Sequence, residues 1–175
     1  MTNVEKTVAK NYIYKGKILN LRVDDALLAN GAPCKREIVE HGGGACVLYE
    51  EDGKILFVRQ YRYAYGEFVL ELPAGKIDKD EEPKCAAARE LEEETGIRAA
   101  RLELLHEIYP SPGYMNERIY LYRAFDGEQV QAHPDEGEFL EVERLSVEEI
   151  KVALKAGRIK DAKTLIGIQA YLLEK

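Results

Sequence analysis

Between Arg89 and Gly96 the chain reads RELEEETG, crowding Glu90, Glu92, Glu93 and Glu94 onto the end of a predicted helix. Carboxylates are disfavoured there, because a helix C-terminus carries a partial negative charge. Like charges three or four residues apart also repel, by roughly 0.2–0.5 kcal/mol per pair. At 3.6 residues per turn, Glu90, Glu93 and Glu94 fall within about 100° of one another, and Ala87, Ala88 and Leu91 form a separate arc suited to burial. Glu92 points elsewhere. Three carboxylates converging on one side of a firmly seated helix are hard oxygen ligands, the kind that Mg²⁺ or Mn²⁺ takes together with substrate phosphates. Arg89 stands four residues before Glu93 and can bridge to it. The loop from Gly75 to Glu81 leads straight into the helix, and its start, PAGK, brings backbone carbonyls close enough to act as further hard ligands. An acidic stretch is ordinarily a solvated face. Here the unfavourable helix end and the proline-glycine loop before it point instead to a cation that the sequence does not contain.

The elements around this helix must hold it against a sheet. Pro83 suits the first position of PKCAAARELEEET, and Gly96 falls where a C-terminal glycine belongs. Upstream, ACVLYE and KILFVRQY flank a hairpin signal at EDG, and EFVLELPAGK reads as a strand ended by Pro73 and Gly75. Downstream, RLELLHEIYP and ERIYLYRAF read as strands around the loop SPGYMN, and EGEFLEVERL as a last strand. SVEEIKVALKAG opens with a Ser146–Glu149 capping box, and DAKTLIGIQAYLLEK is a final amphipathic helix. Residues 11 to 41 are rich in β-formers and turn at Asn30-Gly31. Alone they offer too little core for stability, so they pack on the rest of the chain or on another subunit. HGGG at 41–44 is a flexible joint.

With 175 residues, 46% hydrophobic and 33% charged, the chain suits one domain with a small appendage. A net charge of −7 argues against a nucleic-acid partner. It leaves room for a small phosphate-bearing molecule whose charge a divalent cation offsets. Cys34, Cys46 and Cys85 form no CxxC pair and share no ligand spacing with His41, His106 or His133, which speaks against zinc and for a reduced, cytoplasmic setting. MTNVEKTVAK has no apolar region of a signal peptide, and no run approaches a membrane span.

From Gly75 five residues lead to Glu81, seven more to Arg89, and RELEEETGI then runs to Ile97. This 23-residue pattern resembles the Nudix hydrolase signature at every specified position. The order of strands and helices after about residue 43 is similar too. The resemblance implies an α+β fold, an α/β/α sandwich around a mixed sheet spanning 43–175, with residues 1–42 as an extra N-terminal antiparallel β region. It also implies divalent-cation-dependent hydrolysis of a nucleoside diphosphate linked to another group. Glu90 and Glu94 would be the main metal ligands, with Glu93 a third or a bridge through water. The Ala74 carbonyl would complete the set, Arg89 would orient a carboxylate, and Glu81 would support the loop-helix junction.

Pro112, in YPSPGYMNE, lies sixteen residues after Gly96 and resembles the marker of the ADP-ribose pyrophosphatase subgroup. VRQYRYAYGEFVLELPAGKID resembles that subgroup's sequence before the signature. The comparison puts Arg62 on a phosphate or the terminal ribose, and Glu71 near the metal site or that ribose. Residues 1–42 resemble the sheet that these enzymes exchange across a homodimer, with Arg36 reaching the adenine region of the partner's site. HPDEGEFLEVERL resembles the loop supplying the catalytic base, Glu136 first and Glu138 second. A carboxylate on a mobile loop can close over the substrate and deprotonate the attacking water. The expected reaction is Mg²⁺-dependent cleavage of ADP-ribose to AMP and ribose 5-phosphate, with two or more ions per site. The rivals are another nucleoside diphosphate sugar such as GDP-mannose, and a sensor that binds ADP-ribose without turnover.

Overall fold

The computed structural model describes residues 3–174, which fall into two units: one up to Gly43 that also takes in Tyr109–Arg118, the other Gly44–Ile108 with the chain from Ile119 onward.

In the first unit the β-formers make an antiparallel sheet of β1 (Lys6–Ala9), β2 (Tyr12–Lys15), β3 (Leu19–Leu27) and β4 (Pro33–His41). β3 is central, flanked on one side by β1 and β2 and on the other by β4. Gly31, at φ 84°, closes the expected hairpin; its left-handed conformation suits glycine. The segment 109–118 joins this unit because the Val39 N–H donates to the Tyr114 carbonyl (2.8 Å) and the Asn116 side chain accepts from the His41 N–H (2.9 Å). Val4, Val8, Ile13, Tyr14 and Ile18 are all exposed.

The second unit is built on a mixed sheet, ordered β11-β6-β5-β10-β9, in which β10 (Ile119–Gln129) runs parallel to β5 (Gly44–Glu51) and the other pairs are antiparallel. Short strands β7 (Glu67–Glu71) and β8 (Ala74–Lys76) pair with β6 (Lys54–Arg62) and β5 respectively. β5 and β6 touch only at the hairpin end, through Glu50 with Ile55 and Glu51 with Lys54. Beyond that seam β5 pairs with β8, and β6 with β7.

Side chains alternate across β5 with period two, as a strand buried on both faces requires. Ala45, Val47 and Tyr49 join Ala86, Ala87 and Leu91 of α1 (Pro83–Thr95) in one core layer. Cys46 and Leu48 join Ile150 of α2 (Val147–Lys155) and Ile168 and Tyr171 of α3 (Ala162–Leu173) in the other. The result is the helix–sheet–helix sandwich that the sequence implies. The expected capping box stands at α2: the Glu149 N–H donates to Ser146 Oγ, and the Ser146 N–H donates to Glu149 Oε2. Among the described residues no helix is long and apolar enough to cross a membrane.

Three strand boundaries differ from the sequence expectation. β1 lies before the stretch read as strand. PAGK is itself a strand rather than the start of a loop, because the Pro73 carbonyl accepts from the Val47 N–H (2.9 Å) and carries the chain onto β5. The last strand, β11, begins only at Leu140 and leaves Glu136 and Glu138 in the turn before it.

Candidate active site

α1 starts at Pro83 and ends at Gly96, whose φ of 70° lets its N–H reach the Glu92 carbonyl (2.8 Å). Ala86, Ala87 and Leu91 are fully buried, so the small residues seat the helix directly on β5. That seating drives the opposite arc of glutamates toward the end of β8. The glycine between Ala74 and Lys76 is what permits the approach. A Cβ on Gly75 would lie 2.0 Å from Glu90 Oε1, closer than any side chain could stand.

Arg89 is the hub of the polar layer. Its Nε and Nη2 grip the two oxygens of Glu81 at 3.0 Å each, and Nη2 also donates to the Lys76 carbonyl (3.0 Å). Nη1 bridges Glu90 Oε1 (2.7 Å) and Glu93 Oε2 (2.9 Å). One guanidinium thus ties the 76–81 loop to the helix and fixes two carboxylate rotamers, which is the forked geometry at which arginine excels. Glu92 points away and takes its own cation, Arg98, through a fork of 2.8 and 2.9 Å.

Glu94 is treated differently. It is 3% exposed, and the hydrogen bond it accepts comes from the Ala74 N–H (3.0 Å). Ala74 therefore meets this glutamate through its amide. Burial pushes the Glu94 carboxyl up to about 8, and the neighbouring charges of Glu90 and Glu138 add to the shift against the Ala74 hydrogen bond and the more distant Arg62. Burial also raises Glu90, against the pull of Arg89. A buried carboxylate facing other carboxylates is stable only neutral or with a cation. This donor set fits a hard divalent ion: carboxylate oxygens at the end of a rigid helix, short of positive charge. Among the described residues no three acidic, imidazole or thiol groups already converge at ligating distance.

Beside this layer lies a second ionic cluster. Arg62, at the end of β6, forks onto Glu71 of β7 through Nε (2.5 Å) and Nη2 (2.8 Å). Lys163 Nζ of α3 reaches the same carboxylate at 2.5 Å and Asp161 at 2.9 Å. Burial alone would raise Glu71, but Arg62 and Lys163 hold it below the usual carboxylate range. Asp161 also caps α3 by accepting from the Thr164 N–H (2.9 Å). The Thr164 hydroxyl, fully buried, donates to Asp161 (2.6 Å) and accepts from the Leu72 N–H (2.8 Å).

The second unit thus brings Glu81, Glu90 and Glu93 together on Arg89, with the hydrogen-bonded pair of Ala74 and Glu94 coupled to Glu90 and Arg62 by charge and Glu71 paired to Arg62. Glu136 and Glu138 are both exposed in the 136–139 turn, and the charge of Glu138 reaches Glu90 and Glu94. The His133 N–H pins the start of that turn to the Glu93 carbonyl (3.0 Å). Arg36 and Pro112 belong to the first unit, where Arg36 Nε and Nη2 donate to Glu5 (2.9 and 2.5 Å) and Pro112 is exposed. Sequence reasoning missed Asp161, Lys163 and Thr164. A signal was present: Lys163 puts a cation into the first turn of a helix, where the dipole disfavours it, the mirror image of the glutamates ending α1.

Comparison with known proteins agrees with this geometry. Residues 39–166 match the NUDIX domain model. The chain is 40% identical over 174 residues to an ADP-ribose pyrophosphatase of Bacillus subtilis (strain 168), covering 98% of this chain and 94% of that one. It is 39% identical, with the same coverage, to a methanol dehydrogenase activator of Bacillus methanolicus. A crystal structure of an ADP compounds hydrolase shares the fold, with a TM-score of 0.85 at 20% identity over 97% of this chain and 92% of the other. A domain match over most of the chain coincides with the signature glutamates assembled on α1 against Gly75, and on both grounds the chain belongs to the Nudix family of hydrolases.

Proposed function

We propose that the chain hydrolyses the pyrophosphate of ADP-ribose to AMP and ribose 5-phosphate in the presence of Mg²⁺, for which Mn²⁺ can substitute. The observation that carries this reading is the buried Glu90–Glu94 pair on α1, crowded against Gly75 and lacking enough positive charge of its own. Glu90, Glu94 and Glu93 would hold two or more divalent ions, with the Ala74 carbonyl completing the protein's share while its N–H binds Glu94. When bound, such ions offset the charge that develops on the bridging oxygen and make water easier to deprotonate.

The protein's own groups supply the rest. Arg89 holds Glu90 and Glu93 in place and binds the loop at Glu81, so the carboxylates need not reorganise during the reaction. Arg62 keeps its outer N–H groups turned from Glu71 and presents them to a phosphate. A loop carboxylate takes the proton of the attacking water. Its charge on Glu90 and Glu94 favours Glu138 for that role over Glu136, which the sequence had put first. The exposed apolar residues of the first unit, Val4, Val8, Ile13, Tyr14 and Ile18, support its role as the contact of a homodimer. Arg36 on β4 is the proposed contact to the adenine region of the partner's site, and Pro112 a further substrate contact. The choice of ADP-ribose follows the Bacillus subtilis relative.

The test is product release from ADP-ribose beside GDP-mannose, with Mg²⁺ and then with EDTA. AMP released from ADP-ribose, in preference to GDP-mannose turnover and abolished by EDTA, is the expected result. Preference for GDP-mannose would overturn the substrate, and turnover unaffected by EDTA would overturn the metal reading. Binding of ADP-ribose without hydrolysis would replace the enzyme with a sensor.

A further inference from the structure

We propose that Lys163 is a positioning residue for substrate binding, holding the Glu71 carboxylate so that Arg62 keeps a fixed orientation and an undiminished positive charge toward the substrate's phosphates. The inference rests on the reading of Arg62 as a phosphate contact.

The argument is geometric. The four charges Arg62, Glu71, Lys163 and Asp161 alternate in sign along a chain of contacts of 2.5–2.9 Å. Their exposures differ sharply: the side chains of Glu71 and Lys163 are 3% and 11% exposed, while Arg62 is 40% exposed. Asp161 is 20% exposed, so Arg62 is the most open of the four. Its Nε and one Nη2 hydrogen are spent on Glu71, which leaves an outer edge of three N–H donors. A single carboxylate shared with Lys163 cannot draw off the whole charge of Arg62. Without Lys163 the cluster holds two carboxylates and one cation, and its net charge becomes negative beside an anionic substrate.

The backbone is locked to the same unit. Asp161 caps α3, and Thr164 joins that cap to the Leu72 N–H, immediately after Glu71. The N-terminus of α3 and the end of β7 therefore move as one piece. Lys163 sits at the second position of α3, where a cation gains nothing from the helix. Glu71 and Asp161 supply what keeps it charged despite burial.

A phosphate contact acts in the bound substrate and in the transition state alike, so its loss raises KM more than it lowers kcat. The experiment compares wild type, K163Q, K163R, R62Q and K163Q/R62Q. It reads KM and kcat on ADP-ribose with Mg²⁺, ADP-ribose Kd by calorimetry in EDTA, and Tm. K163Q is expected to raise both KM and Kd about tenfold or more with kcat within about threefold, and K163R to regain most of the affinity. R62Q shows the same pattern, and the double variant is no worse than R62Q alone, because Lys163 acts through Arg62. Wild-type KM in K163Q, a loss confined to kcat, or effects of K163Q and R62Q that multiply would each overturn the inference. Should K163Q not fold, E71Q/K163Q removes the buried pair together, strands neither charge and still unfastens Arg62; it is expected to raise KM with kcat little changed, and a wild-type KM there overturns the inference equally. The two readings fail separately. Wild type that prefers GDP-mannose sinks the ADP-ribose assignment and moves these measurements to GDP-mannose. Wild type active on ADP-ribose, with KM raised in R62Q and unchanged in K163Q, sinks the role of Lys163 alone.

Discussion

Replacing Glu94 by glutamine should make the metal-free protein more stable while destroying its activity. The carboxyl lies at about 8 in the folded chain against an ordinary 4.5. Below pH 4.5 both folded and unfolded chains hold the proton, and the group is neutral to stability. As pH rises from 4.5 toward 8 the unfolded chain releases it and the folded chain does not, so stability falls across that window. The loss is under about 1 kcal/mol at pH 5 and roughly 3 kcal/mol at pH 7, and it levels off above pH 8. Glutamine keeps the shape and can still accept the Ala74 N–H at 3.0 Å, but its buried amide costs about 1 kcal/mol if unpaired. The net gain at pH 7 is then about 2 kcal/mol, a large part of the ~5–15 kcal/mol that holds a typical domain together. Urea unfolding of wild type and E94Q in EDTA, at pH 5, 7 and 8.5, measures it. The gap should widen with pH and shrink on adding Mg²⁺, which stabilises wild type by binding the folded state. A gap that does not depend on pH, or E94Q less stable than wild type at pH 8.5, would refute the account of Glu94 as a buried carboxyl held neutral until a cation binds.

Other perturbations have equally definite outcomes. Glu90→Gln should cut kcat by orders of magnitude with the circular dichroism spectrum unchanged, and wild-type-like turnover would remove Glu90 from the metal site. Gly75→Ala puts a methyl 2.0 Å from Glu90 Oε1 and, by displacing that carboxylate, should lower kcat/KM about 100-fold; a value within threefold of wild type would show that the approach is not needed. Glu138→Gln should lose about 10²–10⁴ in kcat, as removal of a general base does, with Glu136→Gln far milder, and the reverse order would return the role to Glu136. Thr164→Val strands the Leu72 N–H and should destabilise the fold by about 1–3 kcal/mol in urea, whereas an unchanged midpoint would mean that water takes over the bond.

Much of α1 could be read before any coordinates existed, because its signals are local. Pro83, Gly96 and the arc of Ala87 and Leu91 each follow from a helix period, and the glutamates stand out because they violate that helix's electrostatics. The capping box at Ser146 is local in the same way. β8 was hidden because Pro73 and Gly75 are turn residues by any local rule, and what makes Ala74–Lys76 a strand is a ladder to Cys46, Ala45 and Gly44, about thirty residues earlier. The cluster of Arg62, Glu71, Asp161 and Lys163 was half hidden for the same reason. Arg62 and Glu71 came from family resemblance, while Lys163 is some ninety positions away and faces them only after α3 has docked. Arg36 shows the converse: a residue singled out by resemblance is held in its own unit by Glu5, a partner that no motif contains.

The seam between β5 and β6 bears on how this molecule responds to its ligands. Two residue pairs join the strands there, and past them the sheet is really two panels. One panel, β5 with β8 and β10, carries α1 and its glutamates; the other, β6 with β7, carries Arg62 and Glu71. Few backbone bonds hold the panels in register, and side-chain packing on both faces of the sheet does most of the joining there. A pyrophosphate gripped at one end by the α1 carboxylates through cations, and at the other by Arg62, would act as a rivet through both panels. Occupancy would then set the stiffness of the whole sheet as well as the chemistry at its edge, and a chain starved of substrate would be the softer material.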